Sequence, residues 1–139
     1  MIECQNIIIR VRIGTPSDLI DYKFFCFNGE PKFCQVIKNR STKETIDFYD
    51  TEWNLLPFIG LNPTATHSKE EMGIPPKFDK MLELVGKLSA GISFLRVDLY
   101  NINGRILFGE NTFYPASGFG VFSPADYDLK LGNMLNLKQ

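Results

Sequence analysis

Cysteine and histidine are scarce in this sequence. It has three cysteines, Cys4, Cys26 and Cys34, and a single histidine, His67. No two cysteines form a C-x-x-C motif, so the residues for an ordinary zinc site are missing. Because three cysteines cannot all pair within one chain, reduced thiols in a cytoplasmic protein are the simplest interpretation.

The sequence also lacks an excess of positive charge and any long apolar run. Fifteen Lys and Arg residues are balanced by sixteen Asp and Glu residues, which gives a formal net charge of −1. A nucleic-acid backbone is bound by a basic surface, so we expect no nucleic-acid partner. The longest apolar runs, such as Ile7-Ile8-Ile9, are too short to cross a bilayer, and the first residues show no secretory signal. We therefore expect no transmembrane segment.

The amino-acid composition as a whole is typical of a globular domain. Hydrophobic residues make up 44 %, charged residues 22 % and aromatic residues 13 % of the chain. Burying one Phe side chain stabilises a fold by about 1.5–3 kcal/mol, so most Phe residues are expected in the core or on a sheet surface. We expect a single domain over residues 1–139.

Alternation and turn signals predict several strands. The run from Ile7 to Ile13 alternates from Ile9 onward, which predicts a half-buried strand. Two β-rich runs, 21–27 and 32–38, flank Asn28-Gly29, which is a strong hairpin signal. A further strand is predicted over residues 45–49.

Two helices complete the predicted fold. Apolar residues recur at helical spacing over residues 77–89, and Gly91 follows as the C′ residue. Residues 123–126 have Ser as N-cap, Pro at N1 and an acid at N3, which predicts a helix to about Leu135. Residues 53–76 are predicted to form a long irregular loop. The expected fold class is α+β, an antiparallel β-sheet with helices packed on one face.

A second predicted hairpin contains the residues with the clearest chemistry. Runs 93–100 and 105–112 flank Ile102-Asn103-Gly104, which fits a three-residue loop. In that register Asp98 lies opposite Phe108. A loop of two or four residues would instead place the acidic side chains of the two strands on opposite faces.

Strand alternation in this register divides the hairpin into a polar and an apolar face. Arg96 lies opposite Glu110. The polar face carries Arg96, Asp98, Glu110 and Thr112, and the apolar face carries Leu95, Val97, Leu99 and Leu107. The apolar face is suited to packing against the predicted helix, which leaves the charged residues near the middle of the other face.

The two clustered carboxylates have two interpretations on these residues alone. Adjacent carboxylates repel, so neutralising one would relieve the repulsion, and a hard cation such as Mg²⁺ removes it. The alternative is a cross-strand ion pair between Arg96 and Glu110 with Asp98 simply solvated. Both interpretations stay open at this level.

The hairpin resembles the C-terminal metal-binding hairpin of ATP-grasp enzymes. The resemblance is carried by residues 96–100, 103–104, 108–112 and 114–115. Together with further blocks in the same order, the chain is most similar to the TupA-like ATP-grasp family. Those blocks are residues 21–29, 78–81, 97–100 and 112–120, and the resemblance covers about residues 18–136.

The resemblance implies an ATP- and Mg²⁺-dependent ligase. Such an enzyme activates a carboxylate as an acyl phosphate, which an amine or thiol then attacks, here on a small-molecule or polymer-precursor substrate of cell-envelope polysaccharide or peptide-polymer synthesis. The implied metal ligands are Asp98, Glu110 and Thr112. The implied catalytic residues are Arg96, which would bind the phosphorylated intermediate, and Lys23. The alternative interpretation of Lys23 is an exposed lysine on a strand.

The resemblance also bears on nucleotide contacts and on domain organisation. It implies Glu3, Lys38 and Arg40 as cofactor-binding residues. No Gly-rich phosphate loop precedes Asp21, so we expect a C-terminal ATP-grasp lobe whose N-terminal lobe is missing or supplied by a partner chain. The alternatives are a glycosyltransferase of polysaccharide synthesis, against which the absence of a D-x-D motif argues, and a non-catalytic half-domain that binds a partner chain.

Overall fold

The structure is a computed structural model, and it describes residues 19–40, 42–62 and 64–137. The strand predicted over residues 7–13 and the candidate residue Glu3 lie outside the described residues. The predicted α+β fold class is confirmed, because the described chain forms an antiparallel sheet with two α-helices. No helix in these ranges is long and apolar enough to span a membrane.

Five of the strands form one antiparallel sheet in the order β3-β2-β1-β5-β6, and β4 pairs with β7 in a separate two-stranded ribbon. In chain order the elements are β1 (Asp21–Phe27), β2 (Glu30–Lys38), β3 (Thr45–Asp50), β4 (Ile59–Gly60), α1 (Phe78–Ser89), β5 (Phe94–Ile102), β6 (Arg105–Thr112), β7 (Phe122–Ser123) and α2 (Asp126–Gly132). The first predicted hairpin, the strand over residues 45–49 and the first helix are therefore confirmed. The central position of β1 brings it between β2 and β5, which decides the surroundings of Lys23.

One face of the sheet, the α1 face, packs against the first helix. Strand β1 sends Tyr22, Phe24 and Cys26 to this face, where they form a core with Phe78, Met81 and Val85 of α1. Strand β5 adds Leu95, Val97 and Leu99 to the same core. Full burial of these side chains on both elements provides the apolar contact that holds the helix to the sheet.

The opposite face of the sheet, the site face, is apolar at one end and polar at the other. Phe25, Phe27 and Phe33 lie at the apolar end, where Leu131 of α2 packs against them. The two helices thus lie on opposite faces of the sheet, whereas we expected both on one face. The difference arises because β1 carries apolar side chains on both of its faces, and each face needs a covering helix. The end of the face that α2 does not cover is the polar end described below.

The start of α2 differs from the predicted one. The helix begins at Asp126 with Ala125 as N-cap, and no side chain caps it. Ser123, the predicted N-cap, instead pairs with Ile59 in the short β4–β7 ribbon. The prediction was wrong because this long-range strand pairing holds Ser123 outside the helix.

The turn of the second hairpin has two residues, not three. Ile102 pairs directly with Arg105, and the intervening Asn103 and Gly104 have φ values of 51° and 83°. Positive φ at both positions is the geometry of a type I′ turn, which Asn-Gly favours. The predicted three-residue loop is therefore wrong, and with it the predicted pairings of Asp98 with Phe108 and of Arg96 with Glu110, since Arg96 pairs with Thr112.

A β-bulge in the second hairpin reverses the effect of the shorter turn. Leu99 pairs with Phe108, but the next pair is Asp98 with Glu110, so Gly109 is the extra residue of β6. An extra residue shifts all following side chains to the other face. Asp98 and Glu110 are consequently directly opposite each other on the site face.

The shifted register also exchanges two apolar residues of β6. Leu107 pairs with Tyr100 and so lies on the site face, not on the apolar face where we expected it. Ile106 takes its place and packs against the core of the α1 face. The cause is the two-residue turn, which moves every residue between the turn and the bulge by one position.

Candidate functional site

A row of polar residues crosses the site face from β2 to β6. Lys23 pairs with Gln35 on one side and with Asp98 on the other, and Asp98 pairs in turn with Glu110. Lys23, Gln35 and Asp98 are buried, with 7 %, 3 % and 3 % of their surfaces exposed. Buried charges are tolerated only when they are paired, so the partners of Lys23 and Asp98 determine the character of this site.

The carboxylate of Asp98 is held by two cations. Lys23 Nζ donates to Asp98 Oδ2. Arg96 Nε donates to Oδ1 at 2.8 Å, and Arg96 Nη2 donates to Oδ2 at 2.8 Å. The exposed Lys23 and the solvated Asp98 considered from the sequence are therefore both wrong, whereas the ion pair between Arg96 and Glu110 is present.

Arg96 connects the whole group of predicted catalytic and metal-binding residues on β5 and β6. Its Nη2 atom also donates to Glu110 Oε1 and to Thr112 Oγ1, at 3.0 Å each. The Arg96 side chain is 12 % exposed, whereas that of Glu110 is 62 % exposed. We call Lys23, Arg96, Asp98 and Glu110 the polar cluster; it pairs two cations with two carboxylates.

A second ion pair lies next to the polar cluster. Asp21, which is buried, forms a salt bridge with Arg40, whose Nε lies 2.9 Å from Asp21 Oδ2. Burial and the adjacent Asp21 carboxylate raise the pKa of Tyr100 on β5. Sequence reasoning missed Asp21 and Tyr100, although the alternation that puts Lys23 on the site face also puts Asp21 there.

A cleft of about 340 Å³ opens beside the polar cluster. Its polar lining residues include two carboxylates and are Lys23, Gln35, Arg40, Glu44, Asn62, Arg96 and Glu110. Three of these are cations, and Arg guanidinium groups suit planar recognition of phosphate or carboxylate oxygens. The cleft can therefore accept an anionic group next to a pair of carboxylates. Gln35, Glu44 and Asn62 were not predicted as site residues. The position of Gln35 beside the central strand is visible only in the sheet order.

The structure brings together most, but not all, of the predicted site residues. Arg40 and Thr112 lie at the cleft or at the cluster. Lys38 does not, since alternation along β2 places it on the α1 side of the sheet, where its Nζ donates to Ser68 Oγ at 3.0 Å. The structure thus argues against a shared site for Lys38 and the polar cluster.

The oxygen donors of the cluster fit a hard divalent cation. Asp98 and Glu110 offer carboxylate oxygens and Thr112 offers a hydroxyl, and oxygen ligands of this kind suit Mg²⁺. The described ranges contain no cluster of three or more His, Cys, Asp and Glu side chains arranged for a metal. A cation at this position would thus take its third protein ligand from the hydroxyl of Thr112.

Comparison with known proteins gives one match. A family model described as TupA-like ATPgrasp matches residues 5–136, which is nearly the whole chain. The matched range contains every residue of the polar cluster and the cleft. No curated protein and no solved structure matches the chain.

Proposed function

The chain belongs to the TupA-like ATP-grasp family, and from this premise we propose that the polar cluster and its cleft serve an ATP- and Mg²⁺-dependent ligase. The substrate class is a carboxylate that is joined to an amine or a thiol, in the synthesis of cell-envelope polysaccharide or peptide polymers. The main support for the proposal is the convergence of Lys23, Arg96, Asp98 and Glu110 beside a cleft of about 340 Å³.

The proposed reaction has two steps. A carboxylate oxygen of the substrate attacks the γ-phosphorus of ATP, the bond to the bridging oxygen breaks, and ADP leaves. The amine or thiol then attacks the acyl carbon, phosphate leaves, and the nucleophile gives up its proton. Magnesium, held by Asp98, Glu110 and Thr112, would stabilise the negative charge of the phosphates.

Lys23 and Arg96 have distinct parts in this proposal. Lys23 is buried and fixed to Asp98, so it holds that carboxylate on the site face and keeps a positive charge below the cleft. Arg96 lines the cleft and has donors that suit phosphate or acyl phosphate oxygens. Arg40 is half-exposed at the wall of the cleft and adds a third positive charge there.

In this proposal the contacts to ATP are divided between two lobes. By the family resemblance, the chain corresponds to the C-terminal lobe, and the Gly-rich loop that covers the phosphates belongs to an N-terminal lobe. Without those backbone N–H donors, much of the negative charge of the phosphates is left uncompensated. We therefore expect the 139-residue chain by itself to bind Mg-ATP with a Kd weaker than about 0.1 mM.

Ligand-induced thermal stabilisation tests the proposed function. We expect Mg-ATP at millimolar concentration to raise the Tm of the chain and UDP- or GDP-sugars to leave it unchanged. Glu110→Gln should abolish the increase, because it removes an anionic metal ligand. Glu30→Gln is the matched control, since Glu30 is similarly exposed and similarly paired, with Lys32, but lies outside the cleft.

The outcomes separate the proposed function from its alternatives. Stabilisation by nucleotide sugars but not by ATP would contradict the ligase and support a glycosyltransferase. Absence of any nucleotide effect, also at concentrations well above about 1 mM, would contradict it in favour of a non-catalytic half-domain. An equal loss in Glu110→Gln and Glu30→Gln would reject Glu110 as a metal ligand.

A further inference from the structure

A single nitrogen atom of Arg96 contacts all three groups that are candidates for binding the metal. Arg96 Nη2 donates to Asp98 Oδ2 at 2.8 Å, and to Glu110 Oε1 and Thr112 Oγ1 at 3.0 Å. These acceptors come from two strands and are brought together by the bulge at Gly109. The side chain of Arg96 therefore lies among the oxygen donors that a divalent cation would use.

A divalent cation and this guanidinium cannot share the three oxygens. Mg²⁺ holds its oxygen ligands at about 2.0–2.1 Å, which is roughly 0.7–1.0 Å shorter than the distances to Arg96 Nη2. Both would also bring positive charge to the same point. Binding of the cation thus requires the guanidinium to leave the carboxylates.

We propose that Arg96 is an internal counter-cation, which occupies the metal site of the cation-free protein and is displaced when a divalent cation binds. This inference rests on the proposed function for the identity of the cation. Lys23 makes the displacement feasible, because its bond to Asp98 Oδ2 keeps the buried carboxylate compensated while Arg96 moves. The displaced guanidinium stays beside the cleft, where it can bind an anion.

The competition couples the cation to the anion. An anionic group in the cleft that binds Arg96 withdraws it from the carboxylates and so strengthens cation binding. Linkage requires that the cation strengthens anion binding by the same factor. The wild-type chain should therefore bind a divalent cation poorly by itself and better when an anion is present.

Direct Mn²⁺ titration of the 139-residue chain without nucleotide tests the inference, by calorimetry or electron paramagnetic resonance. We expect Arg96→Gln to bind Mn²⁺ about tenfold or more tightly than Arg40→Gln does. Arg40→Gln is matched because it removes the same charge from the same cleft, but from a side chain that pairs with Asp21. Adding Glu110→Gln to Arg96→Gln should remove the gain. Equal affinities in the two single variants, or no Mn²⁺ binding in either, would overturn the inference.

A second measurement needs no variant and so does not depend on how Arg96→Gln folds. The Nε–Hε resonance of Arg96 reports its hydrogen bond to Asp98, and that of Arg40 reports its salt bridge with Asp21. We expect saturating Mg²⁺ to shift the Arg96 resonance and to leave that of Arg40 in place. An Arg96 resonance that does not move at saturating Mg²⁺ would overturn the inference.

These experiments distinguish a failure of the counter-cation role of Arg96 from a failure of the proposed function. If Mg-ATP stabilises the wild-type chain but Arg96→Gln gains no Mn²⁺ affinity, the counter-cation role fails and the ligase proposal stands. If Arg96→Gln gains Mn²⁺ affinity but no nucleotide raises the Tm of the wild type, the counter-cation role stands and the nucleotide proposal fails.

Discussion

Replacing Asp98 with Asn should destabilise the protein strongly, because it leaves a buried lysine without its counter-charge. The side chains of Asp98 and Lys23 are 4 % and 8 % exposed, and that of Arg96 is 12 % exposed. Removing one partner of a buried ion pair costs about 3–5 kcal/mol, since the remaining charge is desolvated and uncompensated. A small domain has a free energy of unfolding of only about 5–15 kcal/mol, so this loss is a large part of the total.

The matched change in the same cluster is Glu110→Gln. The Glu110 side chain is 62 % exposed and bonds to Arg96, whose guanidinium keeps Asp98 as a partner when Glu110 is neutral. Exposed ion pairs contribute about 0–1 kcal/mol, so Glu110→Gln should lower the free energy of unfolding by no more than that. The two variants remove the same charge from opposing positions, and only burial and partners distinguish them.

Urea unfolding of metal-free protein, followed by circular dichroism, measures both differences. The double variant Lys23→Met/Asp98→Asn should recover part of the stability lost in Asp98→Asn, because it removes the orphaned ammonium as well. Equal and small losses in Asp98→Asn and Glu110→Gln would refute the reasoning. Such a result would mean that Asp98 is solvated, the alternative that the sequence alone left open.

Two further predictions follow from local features of the chain. A Cβ on Gly109 would lie 3.0 Å from the carbonyl oxygen of Asp98, so Gly109→Ala should lower the free energy of unfolding in urea by about 1–3 kcal/mol. Gly73→Ala, whose Cβ would meet nothing within 4 Å, should be close to neutral. Burial raises the pKa of Cys26 to about 11 and that of Cys34 well above its usual value, so both stay protonated at pH 8. Iodoacetamide should leave them unmodified in native protein and label them in urea, as read by peptide mass spectrometry; rapid native labelling would contradict their burial.

The features that the sequence predicted correctly are those with a local physical cause. Asn28-Gly29 favours positive φ at two successive residues, which is sufficient to define the first hairpin. The helical spacing of Phe78, Met81 and Val85 defines the buried stripe of α1. In both cases the signal and the structure lie within about ten residues of each other.

The burial of Lys23 depends on the order of strands in the sheet, which is a long-range property. A lysine on an edge strand reaches solvent, whereas β1 is central and all seven of its residues are buried. One signal in the sequence was available: apolar residues on both faces of the run, with Tyr22 and Phe24 on one and Phe25 on the other. Such a pattern is typical of a strand covered on both sides, and it would have required a partner for Lys23.

The placement of Glu110 illustrates why two residues predicted to share a face can do so although the predicted register is wrong. The predicted three-residue turn and the observed two-residue turn differ by one position, and one position reverses the face of every following residue. The extra residue at Gly109 makes the second reversal, so Asp98 and Glu110 meet although the turn was predicted wrongly. Nothing in the turn itself indicates this bulge, because it depends on how closely β6 approaches the Asp98 carbonyl, a contact that leaves little room for a side chain at position 109. The position of Glu110 beside Asp98 is thus a consequence of a backbone contact between two strands, and substitutions at Gly109 should disturb the site through that contact and not through the charges.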